Sequence, residues 1–208
     1  MFLTLEGVEG CGKTSQARML AHALRARGVS VLQTREPGGS PIGGSMRSIL
    51  LSEEYAVSPR TELLLYAAER AEHVRSVIRP ALARGELVLC DRFGDATRAY
   101  QAWGRGLPRE DVEALHAFAT EGLEPDMTLY LRLPVEGAIE RARLRDGSAA
   151  AGEGRFEAEA LDFHRRVAQG YEALALEYPD RIVPVDAEGP REAVAGRILE
   201  IVEAHLGL

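Results

Sequence analysis

Near the N-terminus, Gly7-Val8-Glu9-Gly10-Cys11-Gly12-Lys13-Thr14 satisfies G-x-x-x-x-G-K-[ST]. Each fixed residue type has a chemical reason. The glycines let successive backbone N–H groups turn onto a bound phosphate, with Val8 and Cys11 at loosely specified positions between them. The helix expected from Ser15 points its positive end at the same anion, and Lys13 adds a mobile ammonium. Thr14 supplies a hydroxyl for Mg²⁺. Lys13 is the only lysine in the chain, every other basic side chain being arginine. A compact point charge suits β- and γ-phosphates better than a planar guanidinium. A second pair, Asp91-Arg92, directly follows the apolar run Leu87-Val88-Leu89-Cys90. There Asp91 is placed to hold Mg²⁺ beside Thr14.

These residues need a strand and a helix on either side, and the flanking pattern supplies them. Phe2-Leu3-Thr4-Leu5 reads as a buried strand and residues 15–27 as a helix with Ala17, Leu20, Ala21 and Leu24 on one face and Gly28 as its stop. Further strands are expected at 29–34, 87–90, 128–133 and 182–185. Helices are expected at 42–51, 59–84 with Ser58 and Pro59 at its start, 108–120, 135–145, 156–177 and 191–205. Residues 93–107 read as mixed and Gly-punctuated. The order predicts an α/β fold, a three-layer α/β/α arrangement with a five-stranded parallel sheet in one domain spanning 1–208. Residues 146–154, small and Gly-rich, belong to an expected mobile lid at about 141–156.

The chain has 208 residues, a formal net charge of −7 and two cysteines, Cys11 and Cys90. A net negative charge argues against nucleic-acid binding, which rests on a basic face, while leaving room for a local phosphate pocket. Neither cysteine suggests a disulfide or zinc site, and the five histidines show no ligand spacing. No run approaches the length of a membrane span, and the glycine-rich loop begins too early for a signal peptide, so a cytoplasmic protein is expected.

Several segments together resemble the bacterial thymidylate kinases. They are residues 6–14, Thr34-Arg35-Glu36-Pro37-Gly38-Gly39, Asp91-Arg92-Phe93 with Ala99-Tyr100-Gln101, Pro125-Asp126-Met127-Thr128-Leu129-Tyr130-Leu131, and Val185-Asp186-Ala187. The resemblance implies a P-loop NTPase fold of the nucleotide-kinase kind, ATP as phosphoryl donor, Mg²⁺ as cofactor, dTMP as acceptor and a homodimer. It assigns the donor side to Gly7 through Ser15. Arg92 and Arg35 become contacts to the acceptor phosphate, and Glu9 a carboxylate facing the acceptor sugar. Tyr66 becomes the aromatic under the base and Arg70 a donor to its O4. Gln101 pairs with the base edge, Tyr100 lies against C2′, and Thr97 stands in for a serine common in relatives, the position before it being Ala96.

By the same resemblance the lid supplies the cation that stabilises the transferred phosphoryl, because residues 7–14 contain no arginine. Arg145 is the first candidate, Arg143 and Arg155 follow, and Arg141 is placed to stack on adenine. No general base is required, since a phosphate acceptor is already anionic. Two other readings stay open at this point: another P-loop nucleotide or nucleoside kinase, and a catalytically inert nucleotide-binding module.

Overall fold

In the computed structural model, residues 1–52, 54–145, 156 and 159–208 are described, with the backbone alone at 143–145. Five strands, β1 (Phe2–Glu6), β2 (Val31–Arg35), β3 (Leu87–Asp91), β4 (Met127–Arg132) and β5 (Ile182–Asp186), form one sheet of order β2-β3-β1-β4-β5. Every neighbouring pair is parallel. β1 and β3 are buried along their whole lengths, which is why they read as unbroken apolar runs. The edge strands β2 and β5 are half-buried. Pro184 sits on β5, at the edge, where a missing N–H breaks no inner ladder.

Alternation along the strands sends side chains to two faces. Leu3, Leu5, Leu87, Leu89 and Leu129 share a core cluster with Ala17, Leu20 and Leu24 of α1 (Lys13–Ala26) and Val194 and Ile198 of the C-terminal helix. Phe2, Val88 and Cys90 point the other way, into a cluster with Val74, Ile78 and Ala81. The segments behind these clusters are α2 (Gly43–Leu51), α3 (Pro59–His73), α4 (Arg79–Ala83), α5 (Gly94–Thr97), α6 (Arg109–Thr120), α7 (Val135–Arg145), α8 (Leu161–Glu177) and α9 (Arg191–Leu206).

Two departures from the sequence expectation matter for the site. The long helix expected to run to Arg84 is helical without a break to Ala83, but passes through a π-helical turn at Val74–Ile78 before α4. The mixed stretch 93–107 is helical: α5 leads into a second π turn, Arg98–Gly104, which carries Tyr100 and Gln101. A π turn inserts one extra residue per turn and redirects side chains, a change that leaves no composition signal. Of the helix expected over 156–177, Phe156 is helical, residues 159 and 160 are not, and Leu161–Glu177 form one continuous helix.

Beneath α5 lies a polar knot on the second face of the sheet. Thr4 Oγ1 and Thr128 Oγ1 are 2.8 Å apart, and Thr128 donates to Asp95 Oδ2 at 2.9 Å. Asp95, 1% exposed, also takes Arg181 Nη1 at 2.6 Å and Arg98 Nη1 at 3.0 Å. Burial works against its charge, but Arg181 and Arg98 outweigh that and hold its carboxyl below the usual range. Removing one partner of such a group strands the others. Asp95→Asn should therefore lower the unfolding free energy by about 3 kcal/mol, read by urea denaturation; a change within error would show that the knot contributes nothing to stability.

Candidate active site

The glycine-rich loop leaves β1 after Glu6 and enters α1 at Lys13, at the carboxyl end of the central strand, where open parallel sheets place ligands. Gly10 has a positive φ of 75°, and a Cβ there would sit 1.8 Å from the Ala138 carbonyl oxygen, so α7 closes onto the loop only over a glycine. Gly12, with φ 100°, turns the chain into α1. Cys11 is buried in the core beside Val8, as a small filler. Lys13 Nζ donates to the Gly7 and Val8 carbonyls at 3.0 and 2.8 Å.

Thr14 Oγ1 donates to Asp91 Oδ2 at 2.6 Å. This brings two hard oxygen donors, from α1 and from the end of β3, to one point beside the loop. The pair fits Mg²⁺, which takes one or two protein oxygens and fills its shell with water and phosphate.

Arg92, the next residue, has φ 72°, a left-handed conformation that costs energy in a residue with a Cβ. The turn swings its guanidinium back under the loop. Nη1 reaches the Gly7 carbonyl at 3.1 Å and Tyr171 Oη at 3.3 Å, and Nη2 reaches Glu9 Oε1 at 3.0 Å and Tyr100 Oη at 3.1 Å. Tyr100 donates to Glu9 at 2.6–2.7 Å. Glu9, within the loop, thus faces away from its anion-binding amides. Burial disfavours its charge, yet Arg92, His164, Lys13 and Tyr100 together hold its carboxyl down at about 2.

Below Arg92, Glu6 accepts from Phe93 N at 2.7 Å, Ala96 N at 3.1 Å and Tyr171 Oη at 2.7 Å, tying the start of α5 to β1. Its burial, with the charge of Asp95 nearby, pushes its carboxyl up to about 7 against the pull of Arg92 and these bonds.

From Arg92 a cleft runs along Phe93, Ala96 and Thr97 to Tyr66, Arg70 and Gln101. Tyr66 and Arg70 share a face of α3, as their spacing predicts, and both line the cleft. Arg70 is only 2% exposed. Its Nε donates to Glu36 Oε2 at 2.8 Å, and Nη2 to the Phe93 carbonyl and Thr97 Oγ1 at 3.1 and 2.8 Å. Glu36 in turn meets His73 Nδ1 at 2.9 Å, and His73 Nε2 meets Thr34 Oγ1 at 2.7 Å. Burial works against ionised Glu36, but Arg70 and His73 lower its carboxyl.

Other expected residues stand apart or beyond description. Arg35 lies exposed at the end of β2 and does not line this cleft. Ser15 is half-buried in the first turn of α1. Arg141, exposed on α7, borders a hollow with Leu133, Gly137 and Gly189. The side chains of Arg143 and Arg145, and all of Arg155, lie outside the described residues, as does most of the expected lid. Sequence reasoning missed Glu6, Glu36, Arg47 and Phe156 around the cleft. Glu36 carried a usable signal, a charged residue before proline in a strand-end loop; the others carried none. Three of the five histidines, scattered in sequence, do sit on carboxylates: His73 on Glu36, His116 on Glu124, and His164 beside Glu9. The donor atoms of Glu36, Glu69 and His73 lie within 4.8 Å of one another, but Arg70 already balances the Glu36 charge.

A family model described as thymidylate kinase matches residues 5–198. A thymidylate kinase of Trichlorobacter lovleyi is 50% identical over 210 residues, covering 100% of this chain and 99% of its own. One from Synechococcus sp. (strain JA-2-3B'a(2-13)) is 51% identical over 208 residues, covering 100% and 97%. The crystal structure of thymidylate kinase from Ehrlichia chaffeensis superposes with a TM-score of 0.79 at 28% identity, covering 97% of this chain and 98% of that one.

Glu6 gives the site a measurable pH signature. A carboxyl raised in the folded state holds its proton there while the unfolded chain has lost it. Its contribution to stability is therefore complete below about 4.5 and falls as pH rises toward and past about 7. Glu6→Gln should flatten that part of the stability–pH curve relative to wild type in urea melts at a series of pH values. Parallel curves would show that Glu6 titrates normally.

Proposed function

The chain belongs to the thymidylate kinase family and phosphorylates dTMP with ATP to give dTDP and ADP, and we propose that the described cleft divides this work among its residues as follows. The amides of residues 7–12 and Lys13 hold the donor phosphates, with Ser15 closing the turn. Arg92 binds the acceptor phosphate, with Arg35 approaching from the rim of β2. Glu9 and Tyr100 bracket the sugar, and Tyr66, Arg70, Thr97 and Gln101 receive the base. Arg141 lies against adenine. The observation carrying this reading is the orientation of Glu9, which belongs to the phosphate loop yet bonds Arg92 and Tyr100 on the far side of it.

Thr14 and Asp91 would hold Mg²⁺, which supplies charge neutralisation to the donor phosphates when bound. The protein's own part is positioning. Arg92 has a fork of donors matched to a pair of phosphate oxygens. Its strained backbone and its bonds to Gly7, Glu9 and Tyr100 hold that fork at the wall between the two substrates, so the acceptor oxygen is aimed without an entropic cost at the moment of transfer. The dTMP phosphate is itself the nucleophile, so the buried carboxylates act as anchors for cations and hydroxyls rather than as bases. A lid arginine, Arg145 before Arg143 and Arg155, supplies the last positive charge; the support is the absence of arginine from residues 7–14.

Further proposals concern the setting. The whole chain works as one kinase domain with its lid at about 141–156. A homodimer is supported by the exposed apolar side chains Ile42, Ile49 and Leu64 in and around α2 and α3. A cytoplasmic location fits two free cysteines and the finding that no described helix is long and apolar enough to cross a membrane.

Initial rates of ADP release should rank dTMP first among dTMP, dUMP, CMP and thymidine. Faster turnover of CMP or thymidine would overturn the assignment of the base pocket, and binding of ATP and dTMP without ADP release would overturn the kinase reading. Lys13→Ala should cost about a hundredfold in kcat, the scale of losing one electrostatic donor at a reacting phosphoryl, while the Kd for dTMP stays nearly unchanged; an unaltered kcat would remove Lys13 from the mechanism.

A further inference from the structure

Gln101 is expected to read the base, yet a glutamine amide is ambiguous. Its oxygen and nitrogen ends have the same shape, and a half-turn about the last bond exchanges acceptor for donor. Something must decide which end the base meets. Gln101, on the π turn and 1% exposed, places Nε2 at 2.7 Å from Glu62 Oε1. We propose that Glu62, on α3, is a positioning residue that locks the orientation of the Gln101 amide and thereby selects a pyrimidine carrying a hydrogen on N3.

A carboxylate only accepts, so the group it faces must be the NH₂. The flipped amide would set its carbonyl oxygen against Glu62 with no proton between them. Glu62 is itself immobilised. It is fully buried and takes two bonds from Arg105, Nε to Oε1 at 3.2 Å and Nη2 to Oε2 at 3.1 Å. Arg105 is tied in turn to Glu159 at 2.5 Å and lies over the Phe163 ring at 4.6 Å from its centroid. The side chain of Gln101 makes no other hydrogen bond among the described residues, and it lines the same cleft as Arg70.

With the amide so held, the acceptor Oε1 is kept for the ligand, and the Arg70 guanidinium supplies a donor beside it. Acceptor plus donor complements the N3–H and O4 of thymine or uracil. Cytosine presents the opposite pattern, an acceptor at N3 and an amine at position 4. A polar site rejects a mismatched edge strongly because its buried groups would be left unpaired. Glu62 thus acts on specificity without touching the substrate. The sequence offered no pointer to this role, since Glu62 sits in the first turn of α3 and also reads as an ordinary acidic residue near a helix N-terminus.

This inference rests on the dTMP reading, and the test separates the two. Wild type and Glu62→Gln are compared with dTMP, dUMP and dCMP by kcat/KM. An amide at 62 can face either end of Gln101, so the dTMP-to-dCMP ratio should fall by about tenfold, the worth of one hydrogen bond, while the dTMP-to-dUMP ratio stays constant because both carry the same edge. A uniform loss on all three would overturn the lock and leave the dTMP reading intact; a wild-type preference for dCMP would overturn both. The double variant Glu62→Gln/Gln101→Glu supplies an acceptor that no flip can reverse, and should regain the dTMP preference. Should Glu62→Gln not fold, Gln101→Glu alone decides: it sets two carboxylates together and should lose most dTMP turnover, and wild-type activity there would overturn the proposal.

Discussion

The site depends on one buried ion pair, Arg92 to Glu9. It joins the end of β3 to the loop after β1, so the part of the chain that would cradle the donor and the part that would seize the acceptor cannot move independently. The pair is held from every side: Tyr100 on both partners, Gly7 and Tyr171 on Arg92, and a left-handed backbone at Arg92 that the surrounding bonds must outweigh. Such strain persists only where neighbours over-determine it. Glu6 extends the same arrangement one layer deeper by fixing the start of α5, the element that brings Tyr100 into place.

Around this pair the protein buries further carboxylates, and three of them meet a guanidinium: Glu36 with Arg70 and also His73, Glu62 with Arg105, Asp95 with Arg98 and Arg181. Buried pairs are poor sources of net stability, because desolvation consumes most of the attraction. They are good at allowing one geometry only. That suits a reaction carried by positioning, where the acceptor is already charged and no proton needs to be removed. Arginine fits the task better than lysine, since one planar fork can serve two or three acceptors at once. Lys13, the one exception, stands where a mobile point charge is wanted.

How much was legible in advance follows the range of the interactions involved. The buried strands, and the glycine-rich turn that joins β1 to α1, were legible because a turn, a helix start and an apolar run are set by residues next to one another. Tyr66 and Arg70 could be paired from a spacing of four. Arg35, singled out by the family resemblance, lies exposed at the end of β2, and the turn after it sends Glu36 inward to Arg70. The helical state of residues 94–104 was missed because a π turn obeys a different period from the one sought.

The sequence alone determined the α/β order of elements, the phosphate loop and the family, all of which are local patterns or their succession. Tertiary structure decided which way Glu9 faces, which carboxylates are charged, and which end of Gln101 the cleft presents. Those outcomes turn on partners far away in the chain: Glu9 on Arg92 and Tyr100, Gln101 on Glu62, and Glu6 on Tyr171, 165 residues distant. Burial makes each of them sharp, because an unpaired charge or amide costs far more inside the protein than at its surface. No spacing rule carries that information, since folding alone chooses which distant groups must satisfy one another.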